Sequence, residues 1–406
     1  MPSSGKTPIA GAGSLGTLRE LNRIRIVDAL RRTGAASRSE LAGATGLSRT
    51  TVGTVLADLL ERGLAVEEPA PPGQAGPGRP AVRVRLARPA GGALGIDFGH
   101  RHLRVAAADL SSRVLAERLV EVDVDHEADD ALDAAADLAD EVLREAGLER
   151  EQVVGAGMGL PGPVDVRTGT VGSSVILPGW AGLRAGAELA RRLELPVEVD
   201  NDANLGARAE VAYGAGRGYS DVVYVKAASG IGAGIVLGGR LHRGVTGIAG
   251  EVGHVQVRSE GDVCRCGNRG CLETIASMGA LLALLRPAHG DLDVKGLLQL
   301  LDASDFGARR VVNDAGRAIG RVLADVANTL NPEAIVVGGE LSSAGAPLLD
   351  GIRESVDRYA QPGVAESVRV VPGELGERAE LLGALALVVQ DTDRVRTSSI
   401  AMLASD

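Results

Sequence analysis

The stretch Gly250-Glu-Val-Gly-His254, followed by Cys264-Arg-Cys-Gly-Asn-Arg-Gly-Cys271, holds every cysteine of this 406-residue chain and a histidine ten residues before the first of them. Three thiolates and one imidazole form the ligand set of a four-coordinate structural zinc site, and the glycines let the chain fold back around one ion. The predicted Zn²⁺ ligands are His254, Cys264, Cys266 and Cys271. The alternative is free thiols, or one disulfide with a spare thiol, because three cysteines cannot all pair.

Composition and charge limit what the whole protein can be. The length predicts two or three domains, and no apolar run is long enough to span a membrane. The N-terminus lacks the layout of a signal peptide, so we expect a cytoplasmic, soluble protein. Although the net charge is −10, residues 1–88 carry 13 Lys and Arg against 7 Asp and Glu. A basic segment before an acidic remainder suggests a nucleic-acid-binding module joined to a different domain.

Residues 22–63 have the pattern of a helix-turn-helix. An apolar face predicts a first helix within 22–32, and Ser37 and Glu40 have the spacing of a capping box for a second. Ser48 is a good N-cap for a third helix, in which apolar residues recur at i, i+3, i+4 and i+7 from Val52. The pattern predicts a DNA-binding unit, and the alternative is a three-helix unit that binds protein.

The start of the third helix offers donors for phosphates and base edges, namely Arg49, Thr50, Thr51 and Thr54. Two short strands at 64–68 and 81–86 then flank a Pro- and Gly-rich loop, as in the wing of a winged helix. Arg79 lies near the end of this loop and is predicted to enter a minor groove. The alternative is a flexible linker with an incidental arginine.

From residue 91 onward the pattern is that of an α/β protein. One strand ends at Asp97 before a glycine turn, and another leads into Asn201 and Asp202. A hairpin at 222–237 surrounds a glycine-rich turn, and the strand at 334–338 ends in a double-glycine turn. Two α/β halves with facing glycine turns predict a cleft between them.

Several motifs follow one another in a fixed order. They are Asp97-x-Gly99, Gly159-Leu-Pro-Gly-Pro-Val-Asp165, Asn201-Asp202-Ala-Asn204, Gly230-Ile-Gly-Ala-Gly234, Gly247-Ile-Ala-Gly-Glu251-Val-Gly-His254 and Cys264-x-Cys266-Gly-x-x-Gly-Cys271-Leu-Glu273. With this order the chain resembles the ROK family of repressors, open reading frames and sugar kinases over residues 92–390. The N-terminal segment is similar to the winged helix-turn-helix of its repressor branch, which includes xylose and N-acetylglucosamine repressors.

The resemblance implies the domain plan. A winged helix-turn-helix is expected at 15–88, followed by an actin-like, two-lobed α/β body with lobe 1 at 92–200 and lobe 2, carrying the zinc knuckle, at 201–391. Residues 1–14 and 392–406 are expected to be tails.

The resemblance also implies a sugar site built from Asn201, Asp202, Glu251, His254 and Glu273. In a kinase of the family Asp202 would be the catalytic base that takes a proton from the attacking sugar hydroxyl. His254 would bind zinc through one ring nitrogen and face the sugar with the other. The alternative for Asn201 and Asp202 is an N-cap, and both uses are compatible.

Binding of ATP and Mg²⁺ would need the phosphate loops, which the resemblance places at Asp97, Gly99, Ser229, Gly230, Gly232, Gly338 and Gly339. Kinases of the family resemble Asp-x-Gly-Gly-Thr-Lys at the first loop, where this chain has His100 and Arg101 after Gly99. Because these residues adopt turn angles less freely than glycine, the close approach of backbone to phosphate is put in doubt.

The function that follows is a sugar-responsive transcriptional regulator, a repressor of carbohydrate metabolism genes. We expect a homodimer or homotetramer that binds palindromic operator DNA and a small sugar effector, with no membrane partner. The alternative is an ATP-dependent hexose kinase, similar to a glucokinase, with a DNA-binding head.

Overall fold

A computed structural model describes residues 22–69 (apart from 24, 28, 31 and 32), 82–87, 91–165, 168–172 and 176–390. The chain divides into two compact units. The first, which we call the head, contains the described residues up to Gly91 together with Asp109–Arg113, and the second, the body, contains Gly92–Ala108 and Val114–Gln390. The predicted tails and Arg79 lie outside the described residues. In the part of the chain that is described, no helix is long and apolar enough to cross a membrane.

The head has the predicted helix-turn-helix. Its elements are helix α1 (the described residues between 22 and 33, all helical), strand β1 (Ala35–Ser37), helices α2 (Arg38–Thr45) and α3 (Arg49–Glu61), and strands β2 (Ala65–Pro69) and β3 (Val82–Leu86). The capping box is confirmed, because Ser37 Oγ accepts the Glu40 N–H at 3.3 Å and Glu40 Oε2 accepts the Ser37 N–H at 2.6 Å. Ser48 caps α3 by accepting the Thr51 N–H at 3.1 Å.

Strand β1 was not predicted from the sequence. It is three residues long and pairs antiparallel with β3, which also pairs with β2, so the sheet order is β1-β3-β2. Its partner strand is far away in sequence, and so short a segment has no periodicity that could reveal it. The apolar faces of the helices and this sheet enclose one core that includes Ile26, Leu41 and Leu56.

Lobe 1 of the body is a five-stranded sheet with helices. Its elements in chain order are β4 (Gly92–Phe98), β5 (Leu103–Asp109), β6 (Val114–Val120), α4 (Ala128–Ala146), β7 (Val153–Leu160), the short strands β8 (Val164–Asp165) and β9 (Thr170–Val171), α5 (Ala185–Leu193) and β10 (Val197–Asn201). The strand order is β10-β7-β4-β5-β6, and the β10, β7 and β4 strands run parallel. Parallel strands bring Asp97 and Asn201 to the same edge of the sheet.

Lobe 2 holds a second five-stranded sheet of order β13-β12-β11-β14-β15. Its elements are α6 (Asp202–Tyr213), β11 (Val222–Ala227), β12 (Ile231–Leu237), β13 (Arg240–His242), α7 (Glu273–Ala276), α8 (Met278–His289), α9 (Val294–Asp302), α10 (Phe306–Leu330), β14 (Ala334–Gly338), α11 (Ala346–Tyr359), α12 (Pro362–Ser367) and β15 (Arg369–Pro372). Helix α13 (Ala379–Val389) follows as the last helix of the body.

Helix α13 corrects the predicted division of the lobes. Residues 201–391 were expected to form lobe 2, but Leu381, Leu385 and Val388 of α13 pack on β4 and β5 of lobe 1. The same helix packs against α6. The chain therefore returns to lobe 1 at its C-terminal end because the apolar face of the lobe 1 sheet needs a cover.

Glycines set the distance between α6 and α13. A Cβ on Gly383 would lie 2.0 Å from the Leu205 carbonyl oxygen, whereas a Cβ on Gly279 of α8 would meet nothing within 4 Å. We expect Gly383→Ala to lower the free energy of unfolding by about 2 to 3 kcal/mol, because backbone cannot move aside easily. Gly279→Ala should be neutral or slightly stabilising. Urea unfolding of both variants measures the difference, and equal stabilities would contradict the close packing.

Candidate functional site

The three cysteines and His254 come together as predicted. Their potential ligand atoms all lie within 4.8 Å of one another. Cys264 Sγ is 3.4 Å from His254 Nδ1, and Cys266 Sγ is 3.7 Å from Cys271 Sγ. All three cysteines are free, since 3.7 Å is far longer than the S–S bond of about 2 Å. The cluster therefore has no disulfide.

Tight turns build this cluster, which we call the knuckle (residues 254–271). The Cys264 N–H donates to the Asn268 carbonyl oxygen at 2.7 Å and closes the turn between the cysteines. Gly270 has φ 67°, and a Cβ there would lie 2.0 Å from the Arg258 carbonyl oxygen. Only glycine fits both conditions. The turn thereby holds Cys271 opposite Cys266.

The electrostatics of the knuckle favour a bound cation. Burial raises the pKa of the Cys271 thiol to about 12, and its hydrogen bonds with the neighbouring cysteines add to the shift. Thiolates this close repel one another unless a positive charge lies among them. The four side chains can hold a metal ion, and three sulfurs with one nitrogen are consistent with zinc.

Asn201 is an N-cap of α6. Its Oδ1 accepts the N–H groups of Ala203 at 2.9 Å and Asn204 at 3.3 Å, and its Nδ2 donates to the Gly162 carbonyl oxygen at 3.1 Å. The N-cap alternative is therefore observed. One amide hydrogen of Asn201 is left over for a ligand.

Asp202 lies at the start of α6 and has a buried partner that the sequence analysis missed. Lys226 Nζ of β11 lies 2.8 Å from Asp202 Oδ2 and 3.6 Å from Oε1 of Glu380 on α13. The Tyr224 hydroxyl donates to the same Glu380 oxygen at 3.4 Å. The one available signal was a lysine within the apolar strand Val222–Ala227.

One ammonium is shared by two carboxylates. Burial by itself would lower the pKa of Lys226, but Asp202 and Glu380 outweigh it and raise that pKa above its ordinary value. Burial raises the pKa of Glu380 to about 7; Lys226 opposes this shift, and Asp97 and Asp202 add to it. The raised pKa of Lys226 and the raised pKa of Glu380 are compatible. Lys226 lies closer to Asp202 and stabilises the charge of Glu380 less, so Glu380 keeps its proton to a higher pH.

The remaining predicted sugar residues connect the knuckle to Asp202. His254 Nε2 points away from the sulfurs and lies 3.7 Å from Glu251 Oε2. Burial, together with the charges of Asp202 and Glu273, raises the pKa of Glu251 to about 7. Glu273 Oε2 accepts the Ile231 N–H at 3.3 Å. The charges of Asp202 and Glu273 thus act on the carboxyl group of Glu251.

Arg265 is a second residue that the sequence analysis missed. It lies in the knuckle between two cysteines, and its Nε is 3.1 Å from Glu273 Oε1. The knuckle therefore reaches the predicted sugar residues at two points, through His254 and through Arg265.

The first phosphate loop is filled by its own side chains. Asp97 is buried, and its Oδ2 lies 3.2 Å from His102 Nε2. A Cβ on Gly99 would lie 2.1 Å from the His102 ring, so the imidazole covers this glycine. His100 Nδ1 is 2.7 Å from Asp125 Oδ1. A nucleotide phosphate could approach Gly99 only if the His102 ring, which is 41% exposed, turned away.

The other two loops keep their glycine geometry. Gly339 has φ 79°, and a Cβ there would lie 2.5 Å from the Ala227 carbonyl oxygen. Ser229 is exposed and Gly230 half-buried at the turn between β11 and β12, while Gly338 ends β14. Gly232 lies within β12. Of the three predicted phosphate loops, the first is therefore the one that departs from the geometry expected for a nucleotide site.

The predicted DNA-contacting side chains lie on the first two turns of α3. Arg49, Thr50 and Thr54 are exposed. The Thr51 hydroxyl lies 2.8 Å from the Ser48 hydroxyl at the N-cap, and the Thr54 hydroxyl donates to the Thr50 carbonyl oxygen. Arg49 and Thr50 thus have the least engaged side chains of the four.

Comparison with known proteins gives two family matches. Residues 93–391 match the model of the ROK family, and residues 19–65 match that of the winged helix-turn-helix DNA-binding domain. The xylose repressor of Caldicellulosiruptor bescii is 27% identical over 390 residues, which cover 92% of this chain and 96% of the repressor. The predicted resemblance is confirmed.

Solved structures agree with this fold. The crystal structure of a ROK family transcriptional regulator, described as a homolog of the E. coli MLC protein, has a TM-score of 0.73 at 26% identity and covers 95% of this chain and 98% of that one. A ROK family glucokinase from Streptomyces griseus, in complex with glucose and AMPPNP, has a TM-score of 0.65 at 31% identity and covers 74% of this chain and 100% of the kinase. The regulator match thus extends over more of the chain.

Glu380→Gln tests the buried charge cluster. The pKa of Glu380 in the folded protein, about 7, lies above the ordinary value of 4.5. This carboxyl therefore stabilises the fold fully below pH 4.5, and its contribution is lost as pH rises through about 7. The shift corresponds to about 3 kcal/mol. Urea unfolding should show that, between pH 4.5 and 8, the free energy of unfolding falls by about 3 kcal/mol less in the variant than in the wild type.

Glu377→Gln is the matched control, since Glu377 is exposed and pairs with Arg104 at 3.5 Å. It should keep the pH dependence of the wild type. An unchanged pH dependence in Glu380→Gln would contradict the assignment.

Proposed function

The chain belongs to the ROK family, and from this membership we propose that it is a sugar-responsive, DNA-binding transcriptional regulator that represses genes of carbohydrate metabolism. The observation that carries the proposal is the combination of a winged helix-turn-helix head and a ROK body in one chain, which regulators of the family match over nearly its full length. We place the protein in the cytoplasm, where its DNA target would be.

DNA recognition is assigned to α3. Its exposed N-terminal residues Arg49 and Thr50 would contact phosphates and base edges in the major groove, with Thr51 and Thr54 beside them. Arg79 of the wing would enter the minor groove. A homodimer, or a tetramer of two dimers, would read a palindrome whose half-sites lie one or two helical turns apart.

Sugar recognition is assigned to the cleft around Asp202. A polyol needs several converging acceptors and donors, and Asn201, Asp202, Glu251, His254 and Glu273 supply them. The knuckle would hold a structural Zn²⁺ through His254 Nδ1 and the three cysteines, which leaves Nε2 free to face the sugar side. Sugar binding would change operator affinity through a coupling of about 1 to 3 kcal/mol.

A second candidate is an ATP-dependent hexose kinase. The likeness to a glucokinase and the retained glycines at Gly230 and Gly339 favour it. His102 over Gly99 argues against it, as does the engagement of Asp202 by Lys226. A coupled ATPase assay over a sugar panel separates the two functions: robust turnover that is lost in Asp202→Asn would establish the kinase.

Arg49→Ala should weaken binding to DNA from the protein's own promoter. Loss of one base or phosphate contact costs about 1 to 3 kcal/mol, so we expect a dissociation constant about 10-fold higher or more. Fluorescence anisotropy at several salt concentrations measures it, and the salt dependence should become shallower. The control Arg240→Ala removes the same charge from an exposed site on β13 of the body. Equal affinities of the two variants would refute the role of α3.

Cys266→Ser should release zinc and also weaken the sugar response, because the metal fixes the orientation of His254. Metal analysis gives the zinc content, and the shift in Tm on adding sugar gives the response. Asn268→Ser, an exposed non-ligand in the same turn, should change neither. If zinc is lost while the sugar-induced shift stays intact, the link through His254 is wrong.

A further inference from the structure

We propose that Lys226 is a resident counter-ion of the sugar site, which holds the Asp202 carboxylate as a fixed acceptor for a sugar hydroxyl and withholds it from proton abstraction. The proposal rests on the proposed function, in which the cleft binds a sugar. Under this proposal the protein binds the sugar as a ligand and does not phosphorylate it.

Both oxygens of Asp202 already have donors. Lys226 Nζ lies 2.8 Å from Oδ2, and Oδ1 accepts the Ala203 N–H at 2.7 Å, which it shares with Asn201 Oδ1. Asp202 is also the first residue of α6, where the helix dipole favours a negative charge. Protonation of Asp202 would leave the Lys226 ammonium facing a neutral acid and would weaken the charge-assisted hydrogen bond between them. The carboxylate keeps lone pairs that can accept a hydrogen bond from a sugar hydroxyl.

The pair remains within reach of a small ligand. The side chains of Lys226 and Asp202 are 17% and 14% exposed, whereas that of Glu380 is 5% exposed. An ammonium has three donors. One donates to Asp202 at 2.8 Å, and Glu380 lies at 3.6 Å, beyond hydrogen-bond distance, so the ammonium keeps donors for an oxygen of the ligand. Lys226 would therefore contact the sugar as well as position its acceptor.

The residue type supports a specific role at this position. Of the 43 Lys and Arg residues in the chain only three are lysine, and the other two are Lys6 and Lys295. An ammonium is a compact point charge on a flexible stem, whereas a guanidinium is a planar fork that needs more room. The site between Asp202 and Glu380 accommodates the former.

This scarcity of lysine makes a direct test possible. In full-length protein labelled with ¹³C and ¹⁵N only in lysine, the side-chain ammonium signals can be assigned by comparison with Lys226→Met and Lys295→Met. The probes are D-glucose, D-xylose and N-acetyl-D-glucosamine. We expect the sugar that binds to shift the Lys226 signal and to leave that of Lys295, which is exposed on α9, unchanged. A bound sugar without a shift at Lys226 overturns the proposal.

Affinity measurements by calorimetry provide the second readout. Lys226→Met leaves two carboxylates without their counter-ion, so the double variant Lys226→Met/Glu380→Gln restores the charge balance and is compared with Glu380→Gln alone. We expect the double variant to bind the sugar at least about 10-fold more weakly, as for a lost hydrogen bond to a charged group. Lys295→Met should bind like the wild type.

The outcomes distinguish the role of Lys226 from the existence of the sugar site. Equal affinity of the double variant and Glu380→Gln refutes the role of Lys226 while the sugar site stands. If the wild type binds none of the three sugars in either measurement, the proposed function fails, and the role of Lys226 fails with it.

Discussion

The close contact of α6 with α13 is the constraint on which the body depends. Gly383 allows the two backbones to meet, and Gly157 of β7 does the same for α13 on the lobe 1 sheet, where a Cβ would lie 1.9 Å from the Ala384 carbonyl oxygen. Because α6 begins at Asn201 and Asp202, this packing helps to position these two predicted sugar residues. Interiors packed at this density do not deform gradually, so movement of one lobe would have to carry these helices with it.

Burial of charge is the second constraint. Asp202 on α6, Lys226 on β11 and Glu380 on α13 come from three different elements and meet in one cluster. Two carboxylates with one ammonium leave a negative charge in a poorly solvated place, which costs stability unless a proton or another cation balances it. Under the proposed function, this cluster holds Asp202 in place for a ligand.

The knuckle contacts two further predicted sugar residues, Glu251 and Glu273. His254 faces the sulfurs with Nδ1 and Glu251 with Nε2, and Arg265 pairs with Glu273. A metal ion bound there would determine which ring nitrogen of His254 carries the proton. The site is thus held from one side by packed helices and from the other by a compact, turn-rich loop.

The sequence by itself determined the local features: the capping box of Ser37 and Glu40, the spacing of the knuckle ligands, and the strand at 334–338, which is β14 at its observed limits. These depend on residues a few positions apart, and the order of the motifs indicated the family. Only the tertiary structure decided the pairing of β1 with β3, the return of α13 to lobe 1 and the contact of Lys226 with Asp202 and Glu380. Their partners are distant in sequence, and neither periodicity nor spacing specifies which distant residues a chain will bring together, because that depends on how all its elements pack at once.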